Sequence, residues 1–280
     1  MKLDGVRQSD KVEDRRGGGG PKRGAVAVSG VTIVIAIAYA LITGTSPLAL
    51  LGEVQKQQAP TAGQSAPVDP NDPGAVFTRK VLATTEDTWK LALPTLGKPY
   101  VEPTLVLFRD GVESACGFQE AAVGPFYCPG DRMAYLDLDF LGELQKKLGA
   151  QGDFAAGYVI AHEIGHHVQT LLGTSARVRA EGKEKGPTGN AVRMELQADC
   201  YAGVWAAHVK RQGLLEVGDV EEALGAAAAI GDDTLQKRAK GRVSPESFSH
   251  GTSEQRVRWF KRGMDGADPK QCDTFAAAEL

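Results

Sequence analysis

The chain has 280 residues, 42% of them hydrophobic and 24% charged, which suits one folded domain with appendages and excludes wholesale disorder. A formal net charge of -3 supplies no basic field, and no Lys/Arg stripe interleaves with aromatic residues, so nucleic acid is excluded as a partner.

Along the chain, residues 1–23 carry Lys2, Arg7, Lys11, Arg15, Arg16, Lys22 and Arg23 and the Gly17–Gly20 run, and are expected to form a disordered, charged tail. From 24 to 52 no side chain is charged, and the first part of that stretch is dense in Val, Ile, Ala and Leu. A bilayer core demands roughly 20 apolar residues, so 24–46 is expected to be one transmembrane anchor. The positive-inside rule would keep the N-terminus cytoplasmic and the rest outside the cell membrane in a single-pass arrangement. A cleaved signal peptide ending at Ala38-Tyr39-Ala40 is the alternative, and it exports the domain equally. Residues 47–74, rich in Gln, Pro, Ala and Gly, read as a disordered linker, with the folded domain over 75–280.

Within the domain, apolar spacing predicts a helix over 77–93, a strand over 104–108 ending at Asp110-Gly111, and a second strand over 132–138. Helices are expected over 140–148, 154–172, 190–211, 219–238 and 252–264. Two of these starts carry capping-box pairs, Asp219 with Glu222 and Thr252 with Gln255. The fold class expected is therefore α+β, mostly helical, with a small sheet on the N-terminal side. The four cysteines are even in number, lack a C-x-x-C pair and suit an oxidising compartment. Of three connectivities, Cys116–Cys128 around a Gly-rich turn and Cys200–Cys272 pinning the C-terminal tail to a helix are expected, against buried free thiols.

Residues 161–167 contain H-E-x-x-H as His162-Glu163-x-x-His166, inside the predicted helix 154–172. On a helix, positions i and i+4 lie one above the other, so both imidazoles can reach one Zn²⁺ while Glu163 stands beside it as a general base for water. Chance gives about 0.006 such patterns in a chain with this histidine content, so the match is informative. The rest of 154–168 is apolar apart from His167, and a buried carboxylate with two imidazoles lacking a metal or partners would be costly. A hydrolytic zinc site needs a third protein ligand and an open fourth position. Glu195 and Asp199, the only two formal charges over 194–207, again stand at i and i+4. Glu195 is expected to ligate the ion, and Asp199 to accept a hydrogen bond from the far nitrogen of a ligand histidine.

H-E-x-x-H followed by E-x-x-x-D on a later helix resembles the gluzincin peptidases. More closely, 161–169, 195–206, the charged head over 2–16 and the segment 250–256 resemble the bacterial family described as putative neutral zinc metallopeptidases, over nearly the whole chain. The resemblance implies a zincin-like, zinc-dependent peptidase domain outside the membrane, acting on a protein or peptide substrate. His250, in a Gly-containing loop before the helix at Thr252, is either an oxyanion-stabilising catalytic group or a surface or capping residue. Arg256 is either an exposed helical arginine or a partner of Asp199 or Glu195. His167 and His208 share no phase with the motif histidines and are expected to be structural or exposed. Strand 132–138 is the candidate edge for holding a peptide by strand addition. The competing readings are an inactive zincin-fold scaffold with a structural zinc, which would carry four protein ligands, and an exported metal carrier.

Overall fold

Asp72 begins the first long helix: its side chain accepts from the backbone N–H groups of Gly74 and Ala75, and Pro73 supplies a first helical residue whose missing N–H costs nothing there. In the computed structural model, which describes residues 1–16, 66–121, 124–140, 152–182 and 184–280, the elements in order are as follows. They are β1 (Val12–Asp14), α1 (Pro73–Ala92), β2 (Thr104–Phe108), β3 (Gly111–Ser114), β4 (Gly117–Glu120), β5 (Phe126–Cys128), β6 (Met133–Asp137) and α2 (Asp153–Leu172). There follow α3 (Thr174–Glu181), α4 (Asn190–Arg211), α5 (Asp219–Ala229), α6 (Asp232–Lys240) and α7 (Ser253–Gly266). The fold is mixed α and β and mostly helical, with small sheets, as expected.

A four-stranded sheet in the order β1-β2-β6-β5 lies on the N-terminal side, parallel except for β5, and β3 with β4 forms a separate hairpin. The sheet order overturns one expectation. β6 pairs with β2 along its whole length and with β5 over Met133–Tyr135, so it is an interior strand and cannot take up a peptide there. Among the described residues, the edge on that side is β5.

The head of the chain is not a free tail. Residues 1–16 belong to the domain: Met1 is buried, β1 pairs with β2, and Ala66 forms a bridge to Asp14. The charged residues there are not merely solvated; Arg7 reaches Glu86 at 2.6 Å, and Glu86 is 2% exposed. The folded unit therefore includes 1–16 and begins again at Ala66, earlier than the expected boundary at 75. The anchor at 24–46, most of the linker at 47–74 and most of the helix at 140–148 lie outside the described residues. Among the described residues no helix is long and apolar enough to cross a membrane.

The core is built around α4, which is apolar on nearly every face over Leu196–Val209 and is buried between α2 and α7. Trp205 stacks on Phe154 of α2 with ring centroids 5.2 Å apart, and Tyr158 meets Phe260 of α7 edge-on. Glycines set how closely these helices approach. A Cβ on Gly263 would sit 1.9 Å from the Cys200 carbonyl oxygen, and one on Gly165 would sit 3.0 Å from the Ala198 carbonyl oxygen. The contact at Gly165 matters functionally, because it brings the motif helix against the turn of α4 that bears Glu195 and Asp199.

Both expected disulfides are present. Cys200–Cys272 closes a span of 72 residues, worth about 4 kcal/mol in the chain-entropy account, and holds the C-terminal tail beside α4. The Thr252–Gln255 capping box forms in full. The Asp219–Glu222 box does not: Gly218 is the N-cap, Asp219 accepts from the Glu216 N–H, and Glu222 accepts from the Phe154 N–H. The single helix expected over 219–238 is two, α5 and α6. They part at Ile230–Gly231, where the chain makes room for Ser253; a Cβ on Gly231 would lie 2.3 Å from the Ser253 nitrogen.

Candidate metal and catalytic site

Helix α2 presents His162 and His166 one turn apart, and α4 brings Glu195 across to them. The His162 Nε2 lies 3.2 Å from Glu195 Oε2, the His166 Nε2 lies 3.6 Å from Glu195 Oε1, and the three donor atoms all fall within 4.8 Å of one another. Ligands placed about 2.0–2.1 Å from a tetrahedral Zn²⁺ stand about 3.3 Å apart, so the donor spacing suits that ion. The donor set of two imidazoles and one carboxylate fits zinc chemically as well. It contains three protein donors among the described residues, and His250 is not one of them.

The far side of each imidazole is held. His162 Nδ1–H donates to Asp199 Oδ1 at 2.8 Å, as expected from the i, i+4 spacing of the two acids. A carboxylate only accepts, so this contact leaves Nε2 as the nitrogen that faces Glu195. His166 Nδ1–H donates to Gln169 Oε1 at 2.9 Å, while the Gln169 amide donates to the Met194 carbonyl and to Gln197 Oε1. Gln197 in turn donates to the carbonyl of Cys272. A chain of amides thus connects one imidazole to the disulfide-pinned tail.

Asp199 is fully buried and serves three groups. Arg256 on α7 donates from Nε to Oδ2 at 2.8 Å and from Nη2 to Oδ1 at 2.9 Å, and the Tyr158 hydroxyl donates to Oδ1 at 2.6 Å. Of the two readings of Arg256, the buried partner of Asp199 is the one the structure contains. Burial alone would raise the Asp199 carboxyl, but Arg256 and His162 outweigh it and hold its pKa below the ordinary value. In the metal-free site, burial lowers the His162 imidazole, but Asp199 and then Glu195 outweigh that and raise it to about 10. Glu195 is held well below the usual carboxylate range: burial works against this, and His166 and His162 overcome it.

Glu163 is half-buried on the motif helix, close enough to His166 for its charge to favour the imidazolium. His250 lies on the α7 side. Its Nδ1 contacts Asp232 Oδ1 at 3.1 Å, and Asp232 Oδ2 gathers the backbone N–H groups of Ser249, His250 and Gly251. The bond to Asp232 raises the His250 pKa against the opposing effect of burial, with a smaller push from the Glu195 charge, so the imidazole lies within electrostatic range of the donor cluster. Asp232 is held below its ordinary value, since the His250 contacts outweigh its burial.

His167 and His208 stand apart, as expected. His167 faces the sheet, between the Tyr127 hydroxyl and the Val101 carbonyl, and burial pushes its pKa down to about 4. His208 contacts Gln212. Residues not anticipated from the sequence are Gln169, Tyr158 and Asp232. Gln169 stands three positions after His166, which on a helix is a neighbouring position and a usable signal; Asp232 carries no local signal, since its role comes from a loop 18 residues further on. A second acidic group, Asp153, Asp219 and Glu222, has a cation of this chain beside it: the Met1 amino group lies 2.6 Å from Asp153 and 3.4 Å from Asp219.

The chain is 48% identical over 283 residues to "Uncharacterized protein YpfJ" of Escherichia coli (strain K12), an alignment that covers 98% of this chain and 99% of that one. It is 45% identical over 215 residues to "Uncharacterized protein Rv2575" of Mycobacterium tuberculosis (strain ATCC 25618 / H37Rv), covering 72% of this chain and 71% of that one. "Uncharacterized protein Mb2605" of Mycobacterium bovis is similar to the same extent. No solved structure matches. The family profile described as "Putative neutral zinc metallopeptidase" matches residues 1–275, a span that takes in both the N-terminal strand and the paired histidines, and the chain belongs to that family.

Proposed function

We infer that the protein is a zinc-dependent endopeptidase that hydrolyses peptide bonds in protein or peptide substrates at a membrane surface. The observation that carries this reading is the convergence of the His162 and His166 Nε2 atoms with the Glu195 carboxylate, beside Glu163, with the far nitrogen of each imidazole already engaged. Three protein donors leave a coordination position open, which supports a catalytic ion over a structural one closed by four.

His162, His166 and Glu195 would hold the ion. Bound zinc supplies Lewis acidity, which lowers the pKa of water towards about 7 and polarises a carbonyl. The Glu163 carboxylate accepts a proton from the attacking water and returns it to the leaving amine nitrogen. Asp199 and Gln169 fix the ring orientations of the two histidines, so that Nε2 of each faces the ion. His250 donates from its ring nitrogen to the developing oxyanion, with Asp232 holding its other nitrogen. β5, the edge strand beside the motif helix among the described residues, is the strand against which an extended peptide would lie. The uncharged stretch 24–52 would attach the protein to the membrane.

The test is hydrolysis of an unfolded protein by the purified full chain loaded with zinc. Cleavage should stop with a chelator and return with zinc, and a fully loaded chain that cleaves nothing would contradict the reading. In the same assay, His250→Ala should lower turnover about 10²-fold, the cost of one oxyanion donor, without loss of bound zinc. Unchanged turnover would reassign His250 to the capping of its loop.

A further inference from the structure

Residues 1–16 and the metal-site domain are one hydrogen-bonded body. β1 pairs with β2 in the register Val12↔Leu105, Glu13↔Val106 and Asp14↔Leu107, and the backbone contacts continue from Lys11 to Arg15. Ahead of the strand, Arg7 and the Ser9 hydroxyl take the two oxygens of buried Glu86. Without Arg7 that carboxylate would be left buried and without its counter-charge, a costly state. Behind the strand, the Ala66 N–H donates to the Asp14 carbonyl at 2.8 Å, and the Arg16 guanidinium joins Asp14 to Asp72. Arg16 and Ala66 are therefore held at neighbouring points of the same fold.

This closure constrains how the chain can meet a membrane. An odd number of crossings between Arg16 and Ala66 would put their flanks on opposite sides of about 30 Å of hydrocarbon. β1 would be lost from the sheet, and Glu86 would lose Arg7. Two helical crossings would take about 40 apolar residues, whereas the uncharged stretch 24–52 has 29. The sequence pattern alone points to a single crossing with the head and domain apart; the sheet forbids that arrangement while β1 is paired.

We propose that the N-terminal sixteen residues and the metal-site domain lie on the same, oxidising side of the membrane. The side is assigned by the Cys116–Cys128 and Cys200–Cys272 disulfides, which persist in oxidising compartments. The inference stands on strand pairing and does not use the peptidase reading, so either can fail without the other.

The test uses the full chain made in bacterial cells, with one cysteine added per variant at an exposed position: Gln8→Cys or Asp10→Cys in the head, and Lys240→Cys in the domain. Spheroplasts are treated with a membrane-impermeant maleimide before or after lysis, with the parent chain as blank, since its cysteines are all paired. Head and domain cysteines should label in intact spheroplasts as fully as after lysis. A head cysteine that reacts only after lysis, beside a domain cysteine that reacts at once, would overturn the proposal, as would protection of both. Two head variants are used so that misfolding of one leaves the other to decide, and retention of both native disulfides marks the chains that count.

Discussion

Glu163→Gln should retain one bound zinc per chain and lose peptide hydrolysis by about 10³–10⁴-fold, towards the upper end of what a positioned general base contributes. The two halves of that result have separate causes. Zinc retention follows because Glu163 is not among the three converging donors. The loss of turnover follows because glutamine keeps the shape but cannot accept a proton. Metal analysis and single-substrate kinetics on the same preparation check both. A Glu163→Gln chain that cleaves at the parent rate would remove the general-base assignment, and one that loses its zinc would mean that the carboxylate holds the ion.

Arg256→Met should be the most destabilising single change near the site. The guanidinium makes two hydrogen bonds to Asp199 and a third, at 3.2 Å, to the Tyr158 hydroxyl, and both charged groups are buried. Removing one partner of such a pair costs about 3–5 kcal/mol, and because the raised His162 imidazolium stays beside the surviving Asp199 carboxylate in the metal-free protein, the loss is expected at the lower end of that range. For a chain of this size that is roughly 10 °C in the unfolding midpoint. The sign with pH follows from Asp199, whose folded pKa is depressed. Its contribution is present above the unfolded value of about 3.9 and is lost as pH falls through the folded value. The deficit of Arg256→Met should therefore be fully expressed at neutral pH and shrink in acid. Thermal melts of the metal-free protein at several pH values measure it, and a deficit under about 1 kcal/mol at neutral pH, far below the cost of an unpaired buried charge, would mean that water enters the cluster and screens it.

The motif helix and its partner were legible because their signals are local. Over 154–168 the chain is apolar apart from the motif residues and His167, over 194–207 its only formal charges are Glu195 and Asp199, and the i, i+4 spacing of His162 with His166 and of Glu195 with Asp199 fixes their faces whatever the tertiary fold. Arg256 was legible in principle. With Trp259, Phe260 and Gly263 it occupies positions i, i+3, i+4 and i+7, the buried stripe of α7, and its charge obscured that phase.

The head of the chain carries no such local signal. Val12-Glu13-Asp14 is too short and too charged to look like a strand, and its pairing comes from β2, some 90 residues away. The basic side chains that suggested a solvated tail are those that meet Glu86, Asp14 and Asp72. Strand order was equally out of reach, since alternation identifies 132–138 as a strand without saying which neighbours fill its edges. The break between α5 and α6 is imposed from outside, by Ser253, and no breaker stronger than Gly231 marks it in the sequence.

The most direct test of the metal centre is zinc-edge X-ray absorption on the full chain, with the metal counted in the same sample. The expected result is one zinc per chain with two imidazole nitrogens, one carboxylate oxygen and one solvent oxygen at about 2.0–2.2 Å, and loss of the ion in Glu195→Ala. Four protein ligands, or a Glu195→Ala chain that binds zinc as tightly as the parent, would contradict it.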